Sequence, residues 1–266
     1  MKNLVKSLLC FVVYFAIQFI VQIIFMMAGA AAGISDQNGL IDFSMNHLLL
    51  ITLTANVITV VCFVLSNRIR RKSIKAEWSM LPVKAKSCRY SAAATFLFSF
   101  AWALVTYDMS FANAEQIAQS VTFYSGILPG MGGVLMALTL LLAQPVTEEI
   151  LCRGIMLNLL RKSFPDWAAV LMSAVIFGLA HLMAGGVVLA FGAALMGIYF
   201  GIVFVKTKSL YAAVAAHAFA NLPDFVMPLL PELQFGARIV LAAALAAISI
   251  VLLHMCGMET AFAAEQ

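Results

Sequence analysis

The chain has 266 residues, 64% of them hydrophobic and only 11% charged, with a mean hydropathy of +1.01. Soluble domains hold roughly 45–50% apolar and about 25% charged residues, so this composition leaves too little charge to cover a water-facing surface. It excludes a soluble enzyme, a nucleic-acid binder and a disordered chain, and leaves an integral membrane protein. Apolar runs near the ~20 residues that a membrane helix needs recur along the whole length. The expected fold is therefore all-α, a polytopic bundle, and not a barrel, whose strands read as alternating segments of about ten residues. The five cysteines (Cys10, Cys62, Cys88, Cys152 and Cys256) are odd in number and scattered. They form no disulfide framework and no paired metal-ligand spacing.

The first apolar run covers residues 8–32, after Lys2 and Lys6. Ala28, Gly29 and Ala30 mimic a cleavage site, but the run exceeds the roughly 7–15 apolar residues of a signal core, so it reads as a retained helix. The second run is 47–65, followed by a basic loop with Arg68, Arg70, Arg71, Lys72, Lys75, Lys84, Lys86 and Arg89 against Glu77 alone. The third is 90–107. A polar stretch with Asp108 and Glu115 leads to Pro129, Gly130, Gly132 and Gly133, which open a fourth helix reading to Leu160. Pro165 breaks the chain. The fifth run is 167–183, Gly185-Gly186 is a turn, the sixth is 187–205, the seventh 210–222, ended by Pro223, and the eighth 235–256. The expectation is one transmembrane domain over 1–266 with about eight helices, no internal repeat and no soluble domain. The GxxxG spacings Gly29/Gly33 and Gly197/Gly201 point to close helix packing inside one bundle; they do not establish an oligomeric state.

Eight spans put both termini on one side, and the charges agree. All of the 16 Lys and Arg residues except Arg238 fall to that side, Arg153, Arg161, Lys162, Lys206 and Lys208 included. Basic residues stay cytoplasmic, so both termini and the basic loop are expected in the cytoplasm, at a bacterial plasma membrane. The basic loop reads as an orientation signal and a contact for anionic lipid.

An ionisable group inside a membrane helix costs roughly 2.5–3.5 kcal/mol on insertion scales, so it invites a functional reading. Three segments carry such groups. In the first, Thr147-Glu148-Glu149-Ile150-Leu151-Cys152-Arg153, Glu149 and Arg153 are spaced to pair on one helix face. Glu148 is set off from that pair and freer to face a cavity. The bland reading is a salt bridge at a helix end. The second is Phe177-Gly178-Leu179-Ala180-His181; a lone His in an apolar helix is by itself an ordinary core residue. The third is His217-Ala218-Phe219-Ala220-Asn221, whose His and Asn share a face and offer donors of the kind an oxyanion needs, or act as interhelical polar glue. Helices four and five form a hairpin about Phe164-Pro165. Glu148 lies 16 residues before Phe164 and His181 lies 16 after Pro165, so the hairpin brings both to similar depth. His47 and His254 read as interfacial, and Cys152 needs no nucleophile role.

Together, Glu148-Glu149-xxx-Arg153, Phe177-xxx-His181 and His217-xxx-Asn221 resemble the three motifs of the CAAX-protease and bacteriocin-processing (CPBP, or Abi) intramembrane proteases, of the CAAX prenyl protease 2 type. The motif region spans about residues 130–225. The resemblance implies an eight-helix membrane protease with a cavity open to the cytoplasm, whose relatives process prenylated C-termini or are linked to bacteriocin immunity. It implies that Glu148, helped by His181, activates water, that His217 and Asn221 stabilise the oxyanion, and that Glu149, Arg153 and Phe177 support them. Such proteases have been described both as metalloproteases and as glutamate-dependent. Glu148, His181 and His217 would be the ligands if zinc were bound. No HExxH pair fixes two ligands on one helix, and apolar surroundings adjust a carboxyl without metal, so the metal-free mechanism is favoured. The expected partners are a peptide or membrane-protein substrate, prenylated or not, and the lipid bilayer, with no nucleic acid. Two rival readings are a non-catalytic immunity protein of the same fold and a transporter or proton pathway. Transporters show paired repeats and broken helices in both halves, whereas here the polar residues crowd into one half.

Overall fold

The computed structural model describes residues 2–109 and 112–256. Among them every regular element is helical: α1 Lys2–Ala31, α2 Gln37–Asn46, α3 Leu48–Ile69, α4 Ile74–Glu77, α5 Ala85–Val105, α6 Ala112–Ile127, α7 Met131–Leu160, α8 Asp166–Thr207, α9 Leu210–Ala220, α10 Pro223–Val226 and α11 Phe235–Met255. Six of them, α1, α3, α5, α7, α8 and α11, are long and apolar enough to cross a membrane. This is a polytopic all-α membrane fold.

Each of the eight apolar segments read from the sequence is helical. The 42 residues of α8 are two antiparallel arms, 166–184 and 187–207, because Gly185 and Gly186 leave the helical region and Gly186 takes a φ of +71°. Only a residue without Cβ takes that conformation without strain. The arms then run close along their length. A Cβ on Gly178 would meet the Ala190 carbonyl oxygen at 2.6 Å, one on Gly197 the Ala174 Cα at 3.0 Å, and one on Gly201 the Val170 Cγ1 at 2.8 Å. The Gly197/Gly201 spacing therefore serves packing inside the bundle. Gly29 likewise abuts Phe43 of α2, but Gly33 has nothing near it and ends α1 with a φ of +99°. Half of that GxxxG pair is a turn residue and not a packing residue.

Two helices lie where the sequence shows only polar connections. α2 is started by Asp36, whose carboxylate accepts from the Gly39 N–H at 2.7 Å, as an N-cap does. α6 docks on it through Ser120, which donates to the Asn46 carbonyl at 2.9 Å, and Gln119, which donates to the Asn46 side chain at 3.1 Å. Both are too short and too polar to show as apolar runs.

The basic segments gather at one end of the bundle. There Asn3 donates to Ser163, Asn158 to the Glu77 carbonyl, Ser209 to the Leu81 carbonyl, and the Lys206 ammonium to the last carbonyls of α11, Leu253 and His254. Lys72 donates to Glu77 at 2.8 Å, and this bond, with the neighbouring positive charges, holds the Glu77 carboxyl below its ordinary range. Arg153, assigned to that end by charge, pairs with Glu149 as their spacing expects. It is fully buried inside the bundle, because Glu149 pairs with it there. Arg238, against Asp108, Tyr107 and Phe235, is buried elsewhere, where α5 ends and α11 begins.

The largest core packs α7, both arms of α8 and α9 together through Leu151, Met156, Leu157, Phe200, Val203, Phe204, Ala213 and Ala216. Overpacking such contacts costs about 1–3 kcal/mol. Gly178→Val is therefore expected to lower the thermal unfolding temperature of the detergent-solubilised protein. Gly133→Ala, in open space, is expected to leave it unchanged or slightly raised, as Ala is the better helix former by roughly 0.5–1 kcal/mol.

Candidate active site

Arg153 and Glu149 anchor the site. One helical turn apart on α7, they pair through Arg153 Nη1 and Glu149 Oε1 at 2.8 Å, both side chains fully out of solvent. A buried guanidinium is tolerated only when paired and hydrogen-bonded. Nη2 donates to the Gly197 carbonyl at 2.8 Å on the second arm of α8. The central guanidinium carbon lies over the rings of Phe177 and Phe200, 5.1 and 5.2 Å from their centroids. Phe177 packs the cation and also His181, with centroids 4.6 Å apart.

His217 enters from α9. Its Nδ1 donates to Glu149 Oε1 at 2.8 Å, and its ring stacks on Phe200 at 4.5 Å and 17°. With Nδ1 committed to a carboxylate, the other nitrogen has a set direction: Nε2 lies 3.8 Å from Glu148 Oε2. α9 is itself held by α5, where Thr95 donates to the Ala216 carbonyl at 2.8 Å and Ser99 to that of Ala220. Those hydroxyls, four residues apart, grip the carbonyls immediately before His217 and Asn221.

Glu148 turns the other way from Glu149, as the ~100° step between adjacent helical residues requires. Its Oε1 accepts from Gln144 Nε2 at 2.9 Å, and its Oε2 has no hydrogen-bond partner. It borders a cavity of about 140 Å³, together with His181, Gln144, Leu151 and Cys152, walled by Phe177, Ala180 and Ala184 from α8 and by Phe11, Tyr14 and Phe15 from α1. A cavity needs roughly 10–15 Å³ of such space per water, so this one admits several. His181 Nδ1 lies 2.9 Å from the Phe177 carbonyl, to which it donates, leaving Nε2 for the cavity. Glu148 and His181, which the hairpin arithmetic expects at similar depth, both border this cavity.

His217 and Asn221 are not among the residues that border it. Asn221 Nδ2 donates to the Leu140 carbonyl at 2.7 Å. That carbonyl sits in a stretch, Leu138–Ala143, wound with the wider π pattern, and a second such stretch, Ile150–Leu157, carries Arg153. Wide turns of this kind collect at functional sites. Among the described residues, no three His, Cys, Asp or Glu side chains are grouped to hold a metal ion, and His217 Nδ1 is already engaged by Glu149. Glu148, His181 and His217 are not grouped as three ligands in this structure, while His217 Nε2, oriented by the bond from Nδ1 to Glu149, keeps its lone pair available. His47 lies among Phe25, Phe43, Phe123 and Tyr124 and donates to the Phe43 carbonyl.

Gln144, Tyr14 and Phe200 were not singled out by sequence reasoning. Gln144 left a local signal, a polar residue one helical turn before Glu148. Tyr14 and Phe200 left none, since their neighbours come from remote parts of the chain.

A family model described as Type II CAAX prenyl endopeptidase Rce1-like matches residues 130–223. The match agrees with the resemblance carried by the three motifs and supports, in coarse terms, a CAAX-type intramembrane endopeptidase in a multi-pass membrane protein. No curated protein and no solved structure matches the chain.

Removing one partner of a buried ion pair costs about 3–5 kcal/mol. Arg153→Met, which strands Glu149, is expected to cost that much, read as loss of the folded, monodisperse protein or a large fall in its unfolding temperature. Arg153→Lys, a point charge unable to serve Glu149, Gly197 and two rings together, should fall between.

Proposed function

We propose that this chain is an intramembrane endopeptidase in which Glu148 is the general base that activates water for attack on a peptide bond near the cytoplasmic leaflet. One observation carries the reading: a buried carboxylate with an unpartnered oxygen borders a cavity that admits water and that His181 also borders. Glu148 takes a proton from water while His181 Nε2 orients that water. The hydroxide adds to the carbonyl carbon, giving a tetrahedral oxyanion. Glu148 then returns the proton to the amide nitrogen as the C–N bond breaks.

His217 and Asn221 stabilise the oxyanion in this reading. Two features support them: Asn221 keeps a second amide N–H beyond the one given to Leu140, and His217 Nε2 points to the Glu148 side. Glu149 and Arg153 hold His217 in place. The hydrolysis proceeds through the chain's own groups, without a metal. The substrate is a peptide or membrane-protein tail, with prenylated C-termini and bacteriocin-related leaders as the two classes to test. The common basic end is the cytoplasmic face of the cell membrane, both chain ends included.

The test is cleavage of a mixed panel of farnesylated CAAX peptides and leader-like peptides by the purified protein, read by mass spectrometry. General-base catalysis contributes about 10²–10⁴-fold, so Glu148→Gln should lose at least that much while Cys152→Ala stays near wild type. Cleavage that survives in Glu148→Gln would sink the assignment. Chelation during purification and assay should leave the rate unchanged; loss on chelation with rescue by zinc would overturn the metal-free mechanism. Silence of the wild type across the panel, with the phenotype intact in Glu148→Ala cells, would favour the non-catalytic immunity reading.

A further inference from the structure

The cavity beside Glu148 has a wall that lies outside the family-matched segment. α1 supplies it, and Tyr14 is the one residue of that wall with a polar group. Its ring is held by Phe15, centroids 5.4 Å apart and nearly perpendicular, and by Phe11 at 6.5 Å. Packing alone would be met by a third phenylalanine. The hydroxyl is not among the buried polar atoms left without a partner, and Tyr14 borders the same cavity as Glu148. A phenol O–H in an apolar wall of a membrane protein needs an acceptor, since leaving it unpaired costs roughly 1–3 kcal/mol on mutational scales. What fills the cavity can supply that acceptor, since Tyr14 borders it.

The other polar groups bordering the cavity already have tasks. Gln144 donates to Glu148, and His181 Nδ1 donates to Phe177. His217 and Asn221 do not border it, and Asn221 holds Leu140. Beside the His217 and Asn221 donors from α9, a substrate carbonyl placed for attack by Glu148-activated water meets a further donor on the α1 side, Tyr14, which borders the cavity.

We infer that the Tyr14 hydroxyl donates a hydrogen bond to the carbonyl oxygen of the scissile peptide bond and stabilises the oxyanion formed there, a catalytic contribution from the first helix. The proton stays on Tyr14 throughout; the hydroxyl supplies a dipole in a site of low dielectric, where such donors act most strongly. The inference rests on the peptidase reading above.

The experiment uses the full-length protein in nanodiscs with a fluorogenic farnesylated CAAX peptide and an unprenylated counterpart. Wild type, Tyr14→Phe and Glu148→Gln are compared for kcat and KM. Binding is measured for a phosphinate peptide, which mimics the tetrahedral state, and for a non-cleavable ground-state peptide. Losing one oxyanion donor costs about 10²–10³ in kcat. Tyr14→Phe should therefore lower kcat and phosphinate affinity by that order, with KM and ground-state affinity within about twofold, as expected for a contact made in the transition state. Its unfolding temperature should match wild type, because the ring remains. Wild-type kcat in Tyr14→Phe, with Glu148→Gln inactive, would overturn the role of Tyr14 and leave the peptidase standing. A fall in kcat matched by a fall in unfolding temperature, or by equal weakening of both ligands, would reduce Tyr14 to packing. If wild type neither cleaves either peptide nor binds the phosphinate, the peptidase reading fails and Tyr14 with it.

Discussion

A guanidinium cannot shed its charge, and Arg153 has no contact with solvent. In a bundle of apolar helices that charge must be answered on several sides at once. Glu149 answers it along α7, the Gly197 carbonyl from the second arm of α8, and the rings of Phe177 and Phe200 through cation–π contact. These partners lie on three helical segments, so satisfying one cation fixes where three segments meet. The close approach of the α8 arms belongs to the same requirement. Gly197 lies at the crossing, where the backbone rather than a side chain meets Arg153. His217 then joins through Glu149, which brings α9 into register.

The two adjacent carboxylates follow from this anchoring. They are chemically alike, but one helical step separates their directions. Glu149 is drawn inward and takes two charge-assisted hydrogen bonds on one oxygen, from Arg153 and His217. Glu148 is left facing the cavity, oriented by a single neutral amide from Gln144. The division sets a positioned pair beside a carboxylate with one unpartnered oxygen. The wide turns on either side of the pair contribute as well. The first presents the Leu140 carbonyl that Asn221 uses, and the second carries Arg153. Both occur in the helix that bears the densest set of ionisable groups in the membrane region.

Much of this was legible in the chain. Eight apolar stretches give eight helical segments because backbone groups in lipid have no partner other than the helix itself. The spacing of Glu149 and Arg153 gives their pairing, since residues four apart share a face. Equal distances from the Phe164-Pro165 turn give Glu148 and His181 a shared depth. The failures also have physical causes. α2 and α6 leave no mark among the apolar runs because a short polar helix lacks the apolar signal of a span. Arg153 was counted with the basic end because charge bias along a sequence does not reveal burial. Gly33 looked like half of a packing pair, but a glycine at a helix end with positive φ has the same spacing and a different task.

The sequence by itself determined that the protein is a helical membrane bundle, and which residue types could do chemistry in it. Hydropathy and helical periodicity are local properties, and they survive without knowledge of the fold. The partners of those residues were decided only by the tertiary structure. That His217 reaches Glu149, that Asn221 holds a carbonyl of α7, and that an aromatic wall from α1 closes the cavity over Glu148 all depend on contacts between remote segments. Such contacts arise from packing side chains around one buried charge, and no spacing along the chain encodes them.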